Sequence, residues 1–153
     1  MHFYGEYMII IICAILVTVC GIIDAKTRRI PNPMIVLLLS AGIINLFFSK
    51  EPVYNLLLGF VFPSLLLLIL RISGISIGAG DIKLVCCTGL ISGVFINTLV
   101  FVLSCVTALV FFLAKNLFCR KKTLPSLAFA PFIAFSYDLV ILISLIIRLT
   151  VLA

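Results

Sequence analysis

The chain has 153 residues, of which 65% are hydrophobic and 10% charged, and its mean hydropathy is +1.44. Soluble globular domains are nearer half apolar and a quarter charged. The composition therefore excludes an ordinary soluble protein and predicts a protein that lies in lipid. The net charge is +6. Because the basic residues flank apolar segments, we interpret them as topology signals and contacts for anionic lipid headgroups, not as a nucleic-acid surface.

Six apolar segments follow one another along the chain, and each is predicted to be helical because unpaired backbone groups are too costly in hydrocarbon. They are 7–23, 34–48, 56–72, 82–93, 94–118 and 128–152. A span needs about 20 residues, so little chain is left for a separate soluble domain. We predict an all-α, polytopic membrane protein with about six transmembrane helices in a single domain, 1–153. The first segment is expected to be retained, because MHFYGEYM lacks the basic region of a removable signal peptide.

The basic residues are distributed unevenly between alternate connections, which predicts the orientation of the chain. Connections on one side hold Lys26, Arg28, Arg29, Arg71, Lys83, Lys115, Arg120, Lys121 and Lys122, whereas the other side holds Lys50 and Arg148. Basic residues are concentrated on the cytoplasmic side of membrane proteins. The first group is therefore expected to be cytoplasmic, with both termini on the outer side.

The fourth segment is short for a membrane span. From Asp81 to Gly93 it would extend about 20 Å at 1.5 Å per residue, against a hydrocarbon core of about 30 Å. Either Asp81 lies below the cytoplasmic surface of the membrane, or the turn at Ser92 and Gly93 is sunk from the other side.

The residues available for catalysis are few. The single histidine is His2 at the N-terminus, which argues against zinc peptidases of the HExxH type and against Ser-His and Cys-His dyads. The six cysteines form no CxxC pair, so they are predicted to be small packing residues and no metal or other cofactor is expected. The acidic residues are Glu6, Asp24, Glu51, Asp81 and Asp138.

Asp24 and Asp81 are the acidic residues predicted to lie at the same depth. Asp24 closes the first apolar segment and Asp81 opens the fourth, so both belong to the cytoplasmic ends of their helices. Two neighbouring carboxyls can hydrolyse a peptide bond when one, ionised, takes a proton from water and the other, protonated, donates to the substrate carbonyl. Repulsion between like charges in a low dielectric favours such a singly protonated pair.

The residues around each aspartate form a short motif. Asp81 lies in Gly78-Ala79-Gly80-Asp81-Ile82-Lys83, where Gly78 and Gly80 are expected to allow positive φ or close approach. An N-cap aspartate in a plain turn would explain this motif equally well. Asp24 begins DAKTRRIPNP, in which Pro31 is expected to stiffen the loop and Asn32 to cap the second helix. A charged hairpin would also explain that segment.

Together the two motifs resemble those of the type IV prepilin peptidase family. An aspartate stands seven residues before Pro31-Asn32, GxGDxK opens the fourth segment, and Ala130-Pro131-Phe132 resembles the start of the family's last helix. The resemblance implies that Asp24 and Asp81 are the catalytic pair, that Gly78 and Gly80 shape the loop, and that Lys83 supports it.

The resemblance also implies a substrate and a location. It implies a multi-pass protein of the bacterial plasma membrane that cleaves the short cytoplasmic leader of a prepilin or prepilin-like protein, after a small residue that precedes the substrate's apolar helix. Members with methyltransferase activity carry an N-terminal region with two zinc-binding cysteine pairs. Here six residues precede the first segment, so we expect a peptidase without methyltransferase activity, similar to the short form of tight-adherence pilus systems.

Other interpretations remain open. Asp138 follows Tyr137 within the last apolar segment; it is either hydrogen-bonded to a neighbouring helix or functional, as intramembrane carboxyls often are. Lys83 with Ser73 or Ser76 could form a Ser-Lys protease. A non-enzymatic polytopic protein, such as a transporter or secretion-assembly subunit, is the other alternative.

Overall fold

The computed structural model describes residues 2–49, 51–74, 77–118 and 128–152. These residues form five helices and, within the described ranges, no strand, so the predicted all-α class is confirmed. The helices are α1 (His2–Thr27), α2 (Asn32–Phe48), α3 (Val53–Ile72), α4 (Ala79–Phe118) and α5 (Ala130–Leu152).

Four helices of the described chain are long and apolar enough to cross a bilayer. The apolar stretches are Met8–Thr27, Val53–Ile72, Ala79–Lys115 and Ala130–Ile147, while α2 is apolar but shorter. Large apolar side chains cover the outside of the bundle, among them Phe47, which is 82% exposed. Such a surface is stable only in lipid, so the chain is a multi-pass membrane protein. The count of about six spans stays a prediction.

Helix α4 folds back on itself at Gly93. Its φ of 78° and ψ of 174° lie in a region that glycine alone occupies readily. The Asn97 side-chain amide donates to the Val85 carbonyl at 3.1 Å, whereas these residues would be about 18 Å apart in a straight helix. The chain therefore reverses where the sequence predicts a boundary between its fourth and fifth segments.

Helix α3 packs against this reversal with almost no space between the backbones. A Cβ added to Gly59 would lie 2.5 Å from the Gly89 carbonyl oxygen and 2.6 Å from the Gly93 carbonyl carbon. Asn97, which is 1% exposed, donates to the Gly59 carbonyl at 2.9 Å and accepts from Thr88 Oγ1 at 3.0 Å. These contacts fix the reversal of α4 to α3.

Helix α5 lies between α1 and α4 and joins both through polar contacts. The buried Tyr137 hydroxyl hydrogen-bonds Ser92 Oγ of α4 at 3.0 Å. On the other side, Thr18 Oγ1 of α1 donates to Asp138 Oδ2 at 2.7 Å. Each contact satisfies a polar group that would be costly in hydrocarbon. The hydrogen bond predicted between Asp138 and a neighbouring helix is therefore present.

The cysteines behave largely as predicted, since Cys13, Cys20 and Cys87 are free and buried in the apolar core. Cys105 is exposed, and Cys119 lies outside the described residues.

The start of α2 differs from the prediction. The N-cap is Pro31, with φ −63° and ψ 129°, and no side chain caps the helix. Asn32 is instead the first helical residue, so the expectation that it caps α2 is wrong. Proline suits this position because its fixed φ is compatible with the extended backbone that an N-cap residue adopts. Asn32 is one of the residues that line the cavity described below.

Candidate active site

Asp24 lies in the last turn of α1, three residues before the helix ends. Its side chain is 7% exposed, and its carbonyl accepts the final hydrogen bond of the helix from the Arg28 amide at 2.8 Å. Arg28 has a φ of 54°, the left-handed conformation that ends many helices. This turn directs the chain away from the helix axis immediately after the carboxyl.

Asp81 is the third residue of α4 and is half-buried. It therefore lies inside the first turn and is not the N-cap that a plain turn would need. A carboxylate in a first turn is favoured by the positive end of the helix dipole.

The two motif glycines give their neighbours space. A Cβ on Gly78 would lie 2.7 Å from Asp81 Oδ2, and a Cβ on Gly80 would lie 3.1 Å from Ile30 Cδ1. Neither glycine has a positive φ; within the described chain Gly74 and Gly93 do. Gly78 is approached by Asp81 of its own motif and Gly80 by the Ile30 side chain. The predicted approach of a substrate or a neighbouring helix stays a prediction, and the predicted positive φ is wrong for both residues.

Both aspartates line one cavity of about 460 Å³ at the end of the bundle. Helix α1 ends at this cavity and α4 begins at it, as their positions in the sequence predict. The other polar lining residues include Asn32, Arg28, Arg29 and Lys83. The structure thus brings the predicted pair together.

The start of α5 packs beside the end of α1: a Cβ on Gly21, one turn before Asp24, would lie 3.2 Å from Pro131 Cα and 3.4 Å from the Ala130 carbonyl oxygen. Ala130 is the first residue of α5 and is fully buried. The residues that lead into this third helix also reach the cavity, since Ala128 lines it. Sequence reasoning missed this packing because it involves small residues and backbone; the proline that follows Ala130 was the one available signal that a helix begins there.

The arrangement suits acid–base catalysis of peptide-bond hydrolysis. Two carboxyls share a cavity with three cationic side chains at its wall, Arg28, Arg29 and Lys83. Within the described residues, no group of three or more histidine, cysteine, aspartate or glutamate side chains lies together in a way that could hold a metal ion.

The remaining candidates lie elsewhere. Asp138 bonds Thr18 within the α1–α5 contact, and Pro31 serves as the N-cap of α2. The Ser73 hydroxyl donates to the Ile69 carbonyl at 3.0 Å, so it is engaged within the end of α3. Ser76, the other serine considered for a Ser-Lys pair, lies outside the described residues.

A sequence model of the type IV leader peptidase family matches residues 11–113, which is more than half of the chain. The chain belongs to the type IV leader peptidase family. The matched range contains Asp24, Asp81 and both flanking motifs, and it ends before α5, so Ala130 and Asp138 lie beyond it. Neither the curated proteins nor the solved structures contain a match. Membership of this leader peptidase family implies a peptidase that acts on a protein substrate.

Proposed function

We propose that this leader peptidase is an aspartyl endopeptidase that removes the short cytoplasmic leader of a prepilin or prepilin-like protein, with Asp24 and Asp81 as its catalytic pair. The observation that carries the proposal is the shared position of the two carboxyls. They line one cavity, where α1 ends and α4 begins. The family to which the chain belongs indicates the class of reaction, cleavage of a peptide bond.

The mechanism requires one proton shared by the pair. The ionised carboxylate takes a proton from water, whose oxygen attacks the scissile carbonyl carbon. The protonated carboxyl donates its proton to the carbonyl oxygen, which gives a neutral tetrahedral diol. Collapse of the diol transfers a proton to the leaving nitrogen and breaks the C–N bond, and the pair returns to its singly protonated state. No other reactant is consumed.

The walls of the cavity suit an extended peptide at the membrane surface. Gly78 and Gly80 present backbone without side chains next to Asp81, so a substrate backbone can approach the carboxyl closely. A cleavage site with a small residue in front of an apolar helix fits this geometry. The leader would lie in water and the helix in lipid, with the scissile bond between them.

The distribution of charge supports a cytoplasmic position for the cavity. Arg28, Arg29 and Lys83 line it, and Lys26 is exposed beside it. Under the positive-inside rule this end of the bundle faces the cytoplasm, where the same residues would contact anionic headgroups. Both termini would then lie on the outer side of a bacterial plasma membrane.

Cleavage of a purified prepilin in liposomes tests the proposal. The variants Asp24→Asn and Asp81→Asn remove one acid each at almost constant volume. Glu51→Gln is the matched control, since Glu51 is an exposed carboxylate that bonds Asn55 at 2.8 Å, and glutamine keeps an acceptor there. A positioned acid or base contributes about 10²- to 10⁴-fold. Each aspartate variant should therefore lose at least about 10²-fold in rate, and Glu51→Gln should cleave like the wild type.

Two results would contradict the proposal in different ways. Full activity of either aspartate variant would exclude the catalytic pair while leaving a peptidase. A wild type that cleaves no prepilin, including one encoded beside it, would favour the non-enzymatic alternative, a transporter or secretion-assembly subunit.

A further inference from the structure

The cavity of this leader peptidase carries more positive charge than its two carboxyls can balance. Its wall holds three cationic side chains, Arg28, Arg29 and Lys83, while Asp24 and Asp81 carry one negative charge when they share a proton. Within the described residues, the side chains of Arg29 and Lys83 form neither a hydrogen bond nor an ion pair. An excess of two positive charges therefore lines the space beside the catalytic pair.

The other acidic residues of the chain lie too far away to balance this charge. Asp138 accepts a hydrogen bond from α1 within the α1–α5 contact. Glu51 bonds Asn55 of α3, beside the reversal of α4 and at the opposite end of the bundle from the cavity. Glu6 lies about 27 Å along α1 from Asp24, at 1.5 Å per residue. Since the residues outside the described ranges include no aspartate or glutamate, the balancing anion must come from another molecule.

A peptide is better placed than a lipid headgroup to supply that anion. Arg29 and Lys83 belong to the concave wall that also holds both carboxyls, and a cleft lined by one sign of charge concentrates ligands of the opposite sign. Lys26, in contrast, is exposed in the last turn of α1 and is not part of this wall. Headgroups can reach Lys26 at the edge of the bundle, whereas the wall is reached by the segment that enters to be cleaved.

The size of the cavity limits how far the anion lies from the scissile bond. A sphere of about 460 Å³ is roughly 10 Å across, and an extended chain advances about 3.3 Å per residue, so the cavity holds about three residues. The residues that follow the scissile bond enter lipid, where a charged side chain is costly. An acidic side chain is therefore favoured before the bond, on the leader side.

We propose that Arg29 and Lys83 form a specificity subsite that selects prepilins with a carboxylate side chain within about three residues before the scissile bond. The inference rests on the proposed function and adds the feature of the substrate that the site recognises. Arg29 follows Asp24 by five residues and Lys83 follows Asp81 by two. The segments that position the carboxyls therefore also position the subsite.

Cleavage of two matched prepilins in liposomes of neutral phosphatidylcholine tests the subsite. One prepilin carries glutamate at the second residue before the scissile bond, and its counterpart carries glutamine there. An exposed ion pair changes an equilibrium constant by up to about fivefold. With two cations, the wild type should cleave the glutamate prepilin with a kcat/KM about twofold to 30-fold higher, and the difference should lie mainly in KM.

The ratio of kcat/KM between the two prepilins is the readout, because it cancels any damage that a substitution does to catalysis itself. Arg29→Gln and Lys83→Gln should each lower this ratio by up to about fivefold, and the double variant should abolish the preference for glutamate. Lys26→Gln is the matched control. It removes the same charge at the same end of the bundle but outside the wall, so the ratio should not change.

The outcomes separate this inference from the proposed function. Cleavage of both prepilins with equal kcat/KM, or a ratio that falls as much in Lys26→Gln as in Lys83→Gln, would overturn the subsite and leave the peptidase. A wild type that cleaves neither prepilin would contradict the proposed function. Fluorescence anisotropy of the two labelled leader peptides with the wild type in neutral nanodiscs would then decide the inference, which requires tighter binding of the glutamate peptide through Arg29 and Lys83.

Lipid headgroups are the competing ligand, and a further arm of the experiment detects them. Phosphatidylglycerol is added to the liposomes, and cleavage is measured for the wild type and for the variants of Arg29 and Lys83. Activation by this lipid that depends on both cations, without a preference for the glutamate prepilin, would assign the cations to headgroups and overturn the inference.

Discussion

Gly78→Ala is expected to damage catalysis while leaving the fold intact. The added Cβ would lie 2.7 Å from Asp81 Oδ2, and no other atom outside the loop is that near. Gly78 has no positive φ and is exposed, so alanine fits its backbone. The contact is with the far end of a side chain, which can rotate away at little cost in stability.

The size of the effect follows from the distance. Ordinary van der Waals contact with a Cβ begins at about 3.4 Å, so the carboxyl oxygen must move by roughly 0.7 Å. A displacement of about 1 Å at a reacting group can cost 10²-fold in rate. The expected loss in kcat is therefore about tenfold to 10²-fold.

Prepilin cleavage in liposomes measures this loss, and Gly80→Ala is the matched control. A Cβ on Gly80 would meet the Ile30 side chain at 3.1–3.2 Å, which a shift of a few tenths of an ångström relieves without touching a carboxyl. Gly80→Ala should therefore lose less activity than Gly78→Ala. Equal losses in both variants, or wild-type cleavage by Gly78→Ala, would refute the reasoning.

Three further predictions concern stability, measured by a thiol-reactive fluorophore that labels the buried cysteines on unfolding. Asn97→Leu removes three hydrogen bonds and should lower the free energy of unfolding by about 2 kcal/mol, at about 0.6 kcal/mol for each bond. Thr98→Val is the control and should cost less, because the Thr98 hydroxyl bonds within its own helix. Equal costs for the two variants would contradict this prediction. Thr18→Val removes the hydrogen bond to Asp138 and should lower the free energy of unfolding by about 0.6–1.7 kcal/mol. Asp138→Asn should lose less stability, because the asparagine side chain keeps an oxygen that can accept the bond from Thr18. Gly93→Ala forces a side chain into a conformation that costs about 1–3 kcal/mol, and unchanged stability there would contradict the described turn.

The features that could be predicted from the sequence are those set by solvent and by position along the chain. The absence of a suitable histidine or cysteine pair left Asp24 and Asp81 as the candidate catalytic residues. Their positions at the ends of apolar segments predicted that the two side chains lie close together. The break at Gly93 was predictable because Ser92-Gly93 divides an apolar stretch too long for one span. In each case the prediction depends on the length and polarity of a run of consecutive residues, which the sequence shows directly.

The features that could not be predicted depend on contacts between distant backbones. The backbone of Gly59 lies against that of Gly89 and Gly93, and no side chain marks this contact. The proximity of Gly78 to Asp81 depends on the rotamer of the Asp81 side chain, which the sequence does not give. The motif alone therefore suggested a positive φ as the reason for the glycine, which is wrong. Asn32 was a reasonable cap by residue type, but the extended Pro31 occupies that position and Asn32 faces the cavity instead.

The most direct test of the catalytic pair is a double-mutant cycle on prepilin cleavage under single-turnover conditions. Residues that act as one unit are strongly non-additive. Asp24→Asn and Asp81→Asn should each abolish nearly all of the rate, and the double variant should be no slower than either single variant. Losses that add in the double variant, or a single variant that cleaves at the wild-type rate, would contradict the assignment of Asp24 and Asp81 as one catalytic pair.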